Sequence, residues 1–195
     1  MRRVYTFDTQ TQTWSTTTPL PQAVSSPAVI AVGRAVYVAG GLSDTGQPVS
    51  SVFTFDTDTQ RWGMAPMQTA RSNAAVAVLD GGIYVLGGDG AAGILSSVER
   101  YDLATGRWTW ATPLPEPLMN LGAATVGGAI HALFEQAHYV FNPTRNRWTR
   151  MAPMIRPRHS FGTAVIGDQL YVIGGCDPEP EDTAITEILD VNGAS

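Results

Sequence analysis

Apolar residues along the chain fall into short runs that alternate with polar ones and break at Gly, Asp and Pro. The stretch 73–115 shows the pattern once in full. "NAAVAVLDG" is small and apolar, as suits a strand buried on both faces. "GIYVLGG" is β-branched and aromatic and stops at two glycines. "SSVERYDLATG" runs into a turn, and "RWTWATPLP" is closed by prolines. Period-two patterning bounded by turn residues predicts four short antiparallel strands. No segment holds a helical apolar period for more than a turn or two, so the prediction is all-β.

The same frame recurs along the chain. Trp14, Trp62, Trp108 and Trp148 are 48, 46 and 40 residues apart. Six residues before each lies Asp8, Asp56, Asp102 or Asn142, preceded by Phe7, Phe55, Tyr101 or Phe141. Glycine pairs close "VYVAGG" (Gly40, Gly41), "IYVLGG" (Gly87, Gly88) and "LYVIGG" (Gly174, Gly175). The remaining repeat reads "IHALFE", with Phe134 and Glu135 where the glycines belong. A period in the forties with strand and turn character predicts a propeller or a solenoid.

This frame decides how to read Gly88, Gly90 and Gly93, which spell G-x-G-x-x-G after a strand-like run. That is the fingerprint of a dinucleotide-binding turn when a helix follows. Here the following segment aligns with "GQPVSSVFTF", which opposes a helix. The glycine pairs are therefore expected to serve close backbone approach or positive φ.

Composition narrows the function. A net charge of -5 argues against a general nucleic-acid binder. All twelve basic residues are Arg. One cysteine, Cys176, allows neither an internal disulfide nor a thiolate cluster. No signal-peptide pattern opens the chain, and no apolar run is long enough for a helical span. These readings predict a cytoplasmic protein without membrane or nucleic-acid partners. The loop "CDPEPEDTAIT" gathers Asp177, Glu179, Glu181 and Asp182, but its spacing fits no calcium loop and its prolines favour a solvated loop. No metal or cofactor is predicted.

The glycine pair, the aromatic–Asp step and the Trp six residues on resemble the kelch repeat over nearly the whole chain. The resemblance implies a kelch-type β-propeller with four-stranded antiparallel blades around a central channel. Repeats are expected at about 25–67, 72–114, 119–154 and 158–191, the last completed by residues 1–18, giving about four blades. That count leaves a small closed propeller, a piece of a larger one, or half of a two-chain ring. The resemblance implies that the four Trp residues pack between blades, and that the loops after the second strand and between blades bind partners. Loop-face candidates are Ser43, Asp44, Arg71, Asn73, Asp89, Asn120, Arg156, Arg158, His159 and Asp177. Arg71 and Arg158 stand where some kelch adaptors carry an arginine for acidic peptides; the alternative is an ion pair with a neighbouring loop. The predicted function is a non-catalytic module that binds a protein or peptide, with self-association a further option. The rival is a segment of an enzymatic propeller, similar to sialic-acid epimerases or copper radical oxidases, lacking its remaining blades.

Overall fold

The computed structural model describes residues 2–177 and 184–190, so Glu179, Glu181 and Asp182 of the acidic loop lie outside the described residues. The described chain is all-β. It opens with a hairpin, β1 (Val4–Asp8) and β2 (Thr13–Thr17). Three four-stranded sheets follow: β3 (Ala28–Val32), β4 (Ala35–Ala39), β5 (Val52–Asp56), β6 (Arg61–Met64); then β7 (Ala75–Leu79) and β8 (Gly82–Leu86), a small hairpin β9 (Asp89–Gly90) and β10 (Gly93–Ile94), β11 (Val98–Asp102), β12 (Arg107–Ala111); then β13 (Gly122–Val126), β14 (Ala129–Phe134), β15 (Ala137–Asn142), β16 (Arg147–Arg150). Among the described residues the last sheet has three strands, β17 (Gly162–Ile166), β18 (Gln169–Ile173) and β19 (Thr186–Asp190).

Every pairing is antiparallel and follows chain order within its sheet. The registers coincide between repeats: Phe55 faces Trp62, Tyr101 faces Trp108 and Phe141 faces Trp148. The first strands β3, β7, β13 and β17 lie side by side. Small residues suit the close contacts β3–β7, β7–β13 and β13–β17, while Val29 of β3 and Val165 and Ile166 of β17 are exposed at the two ends of the row. The sheets thus form a four-bladed β-propeller arrangement.

The glycine pairs take φ of +66° and +104°, +59° and +97°, and +66° and +100°. A Cβ at Gly87 would stand 2.3 Å from the Leu118 carbonyl oxygen, and one at Gly88 would stand 2.6 Å from that of Ser72. Both backbone sign and close approach therefore demand glycine. In the odd repeat Glu135 keeps the same role at φ +46°. Its N–H donates to the Arg158 carbonyl at 2.9 Å, as Gly41 does to Arg71 and Gly88 to Leu118.

The tryptophans do not behave alike. The indole N–H of Trp62 donates to the Thr18 carbonyl at 3.1 Å, that of Trp108 to Ala65 at 2.7 Å, and that of Trp148 to Thr112 at 3.0 Å. Each acceptor precedes a proline in the connection out of the preceding sheet. These three indoles are half-buried between sheets. Trp14 is 69% exposed, which corrects the expectation of four equivalent packing residues. The expected completion of the last repeat by residues 1–18 is also not formed within this chain: β2 pairs with β1, and β19 pairs with β18.

Candidate interaction face

The two ends of the sheets carry different kinds of connection. At one end lie the turns within strand pairs, and they repeat. Asp8, Asp56 and Asp102 each accept a backbone N–H three residues on, as Asn142 does, giving four Asx-type turns. A guanidinium from Arg100, with the N–H and hydroxyl of Thr105, holds the Asp102 carboxyl down to about 2. Thr57 and Leu103 donate to the carbonyls of Arg34 and Gly81, which ties the first-pair turns to the second-pair turns at this end.

At the opposite end lie the loops after the glycine pairs and the connections between sheets. Backbone bridges join the two sets: Ser25 to Leu42, Ser72 to Asp89, and His159 to Cys176. This places Ser43, Asp44, Asp89 and Asp177 on the same face as Asn73, Asn120 and His159. At its centre Ser26, Asn73, Asn120 and Ser160 hold φ between +51° and +57°. Asn73 N–H donates to the Ser26 carbonyl at 3.1 Å, Asn120 to Asn73 at 2.9 Å, and Ser160 to Asn120 at 2.9 Å. This backbone ladder links the four connections in series, and its four residues line a concavity of about 400 Å³.

The polar candidates differ in availability. Asp44 is exposed; Ser43, Asn73, Asp89 and Asn120 are half-buried. Ser43 closes its own loop, donating its N–H to the Gln47 carbonyl at 2.8 Å. Arg156 is exposed but its Nε pairs with Asp177 at 2.7 Å. His159 stacks on Phe134, with ring centroids 6.0 Å apart, and its Nδ1 lies 3.0 Å from the Ser160 hydroxyl.

Arg71 and Arg158 are fully buried, which removes them from the face. Arg71 donates to the carbonyls of Gly87 and Ser97 at 2.8 and 2.9 Å and to Glu99 at 2.9 Å. Glu99 also accepts the N–H groups of Gln68 and Thr69 at 2.7 and 3.0 Å. Burial pushes the Arg71 guanidinium below its usual range, and the Glu99 carboxylate opposes that shift. Arg158 repeats the arrangement, pairing with Glu187, which accepts the N–H groups of Ile155 and Arg156. Glu187 is held below the usual carboxylate range: burial raises it, and the bonds from Arg158 and the two amides outweigh that. Each arginine thus braces a connection against its own sheet. Glu99 and Glu187 went unnoticed as their partners, although each stands three residues before the repeated Asp in "ERYD" and "EILD".

The other repeats fill the same two positions with Val24 and Phe53, or Leu118 and Tyr139. The Tyr139 hydroxyl donates to Glu116 at 2.6 Å. On the other side of that sheet His131 and His138 form a buried pair at 3.1 Å, and His138 Nδ1 reaches the Ala152 carbonyl at 2.8 Å.

Residues 1–175 match the KLHDC2/KLHL20/DRC7 Kelch-repeats domain. The chain belongs to the kelch-repeat family. Kelch-like protein 40 of Mus musculus is 33% identical over 131 residues, 67% of this chain and 21% of that protein. Kelch-like protein 35 of Mus musculus is 31% identical over 134 residues, 68% of this chain and 22% of that protein. Kelch repeat and BTB domain-containing protein 13 of Homo sapiens is 30% identical over 128 residues, 64% of this chain and 28% of that protein. This kelch segment therefore matches under a third of the length of each of these relatives. Among the described residues no helix is long and apolar enough to cross a membrane.

Proposed function

We propose that this kelch domain is a non-catalytic module that binds another protein through the face formed by the post-glycine loops and the inter-sheet connections. The observation carrying this reading is the division of labour between the two ends. One end repeats the same Asx-type turn in the first hairpin and in each of the three four-stranded sheets. The other gathers loops of differing length and chemistry and fixes them with backbone bridges. A rigid frame displaying divergent loops is the usual construction of a recognition surface. The partner is a protein or peptide that reads hydroxyl, amide and carboxylate groups around this concavity. We place the protein in the cytoplasm, where the absence of a structural disulfide costs nothing.

The test compares two surface variants as bait against the parent, with captured proteins quantified. Asp44→Ala with Asn73→Ala and Asn120→Ala alters the loop face. Arg61→Ala with Asp58→Ala alters the opposite end. The proposal expects specific partners of the parent to be lost with the first variant and kept with the second. Equal capture by both variants would overturn it.

A further inference from the structure

The β13–β16 sheet lacks a loop that the two four-stranded sheets before it possess. Residues 42–51 and 89–97 follow their glycine pairs and lead into β5 and β11, whereas only Glu135 and Gln136 stand between β14 and β15. In each long loop one residue ties the joint together. Val49 N–H donates to the Gly41 carbonyl at 2.9 Å, and the Val49 carbonyl accepts the Arg71 N–H at 3.1 Å. Leu95 does the same between Gly88 and Leu118, at 2.8 and 3.1 Å. The two-residue turn offers no such residue. The Glu135 carbonyl, counterpart of the Gly41 and Gly88 carbonyls, has no partner among the described hydrogen bonds.

Where the loop is missing, a cavity of about 280 Å³ opens between the turn and the connection entering β13. The matching place in the first four-stranded sheet, between Val24 and Leu42, measures about 160 Å³. Pro117 and Leu118 form one apolar wall of the larger cavity, and Phe134 and Ala137 form the other. Glu116, Glu135 and Arg150 line it as well. The hydroxyl of buried Tyr139 donates to Glu116 at 2.6 Å, which fixes that carboxylate from within the sheet. Arg150 donates to the Gln136 carbonyl at 3.4 Å. Among the described residues neither carboxylate pairs with Arg150 or with any other cation. Arg34, Arg71, Arg100, Arg156 and Arg158, by contrast, are each ion-paired.

On the loop-face reading above, we propose that this cavity selects the partner peptide: it takes a Lys or Arg side chain between Glu116 and Glu135, and an adjacent acidic residue on Arg150. The apolar walls suit the aliphatic stem, since long basic side chains bury their methylenes while the charged head stays among polar groups. A cation between two otherwise unmatched carboxylates forms charge-assisted hydrogen bonds. Two carboxylates against one guanidinium set the preference for the basic residue. The unpartnered Glu135 carbonyl is an acceptor for a peptide N–H. The cavity falls just below the roughly 300–1,000 Å³ of small-molecule sites, which suits one side chain rather than a cofactor. With Arg71 and Arg158 buried beneath this face, the chemistry is the reverse of an arginine-lined site for acidic peptides.

The experiment is selection from a display library of random peptides on the parent chain, followed by fluorescence-anisotropy titration of an enriched peptide. Three variants are compared: Glu116→Gln with Glu135→Gln, Arg150→Gln, and Arg61→Ala with Asp58→Ala at the opposite end. Gln keeps the shape of Glu, so the first variant changes charge without opening a hole. The parent should enrich peptides with Lys or Arg beside Asp or Glu. The enriched peptide should bind the double-Gln variant about ten- to hundredfold more weakly, the loss expected when hydrogen bonds to charged groups go. Arg150→Gln should still select the basic residue and lose the acidic neighbour, and the opposite-end variant should bind like the parent. A parent that enriches nothing, or peptides without a basic residue, overturns the proposal. So does a peptide that binds the double-Gln variant as it binds the parent. The wider face fails separately. Proteins lost with the Asp44, Asn73 and Asn120 changes but kept with the double-Gln variant would retain the face and overturn the cavity. Peptides selected as expected, with protein capture indifferent to those three changes, would uphold the cavity and reject the wider face.

Discussion

The connection entering β7 and the one entering β13 do the same job with opposite chemistry. In both, the amide of the second residue of a glycine pair reaches the incoming connection: Gly41 to Arg71, and Gly88 to Leu118, each at 2.8 Å. Beneath the first lies a fully buried Arg71–Glu99 ion pair. Beneath the second lie Leu118 and Tyr139, packed with Leu114 and Leu121. The backbone bond sets the geometry of the joint, and the side chains below need only fill and satisfy the space. A charged residue at a repeat's special position is then no sign of a ligand; its partner inside the sheet decides its role.

The contrast breaks most sharply at the ion pair. Glu99→Ala should destabilise the fold by about 3–5 kcal/mol in denaturant unfolding, since it strands a buried guanidinium and frees two amides. Leu118→Ala, which leaves only a cavity, should cost about 2–5 kcal/mol. A Glu99→Ala loss under about 1 kcal/mol would mean that Arg71 escapes to solvent.

The glycine pair gives the next effect. Gly88→Ala places a Cβ 2.6 Å from the Ser72 carbonyl at φ +97°, and should cost about 1–3 kcal/mol. Glu135→Gly, at the matching place in the next sheet, relieves a residue at φ +46° and should be neutral or stabilising. Equal losses at both sites would show that the two turns are not equivalent.

Acid sharpens the contrast at a third place. Burial, with His138 beside it, lowers His131 from 6.5 to about 4. The unfolded chain therefore binds a proton before the folded one does. This contribution is intact above pH 6.5 and falls away as pH drops towards 4. His131→Tyr, which restores the residue present at Tyr37, Tyr84 and Tyr171, should flatten unfolding midpoints measured between pH 6.5 and 4. An unchanged slope would rule out His131 as its source. The smallest effect belongs to the loop face: Asp44→Ala, at an exposed position, should shift stability within about 0.5 kcal/mol.

The blades were legible because the repeat ties several offsets together. The aromatic–Asp step, the Trp and the glycine pair each mark one strand end, and the structure places all of them in one register. Within the G-x-G-x-x-G, Gly88 is packed against the Ser72 carbonyl and the short strand β10, not a helix, follows. Two things were less legible. Arg71 and Arg158 looked like surface groups because a long charged side chain usually is one. Only the fold brings Glu99 and Glu187 under them, 28 and 29 residues away. Trp14 looked like its three counterparts because its local sequence is the same; its exposure depends on which sheet stands before it, and that is not a local property.

The most direct test of the interchangeable joint is a double-mutant cycle on Arg71→Leu and Glu99→Leu, read by equilibrium denaturant unfolding. Either single change should cost about 3–5 kcal/mol, because each leaves one buried charge without its partner. The double change should cost much less than either, since two leucines recreate the apolar filling found at Leu118. A double mutant that loses the sum of the two single costs would contradict the account and make the ion pair itself the source of the joint's stability.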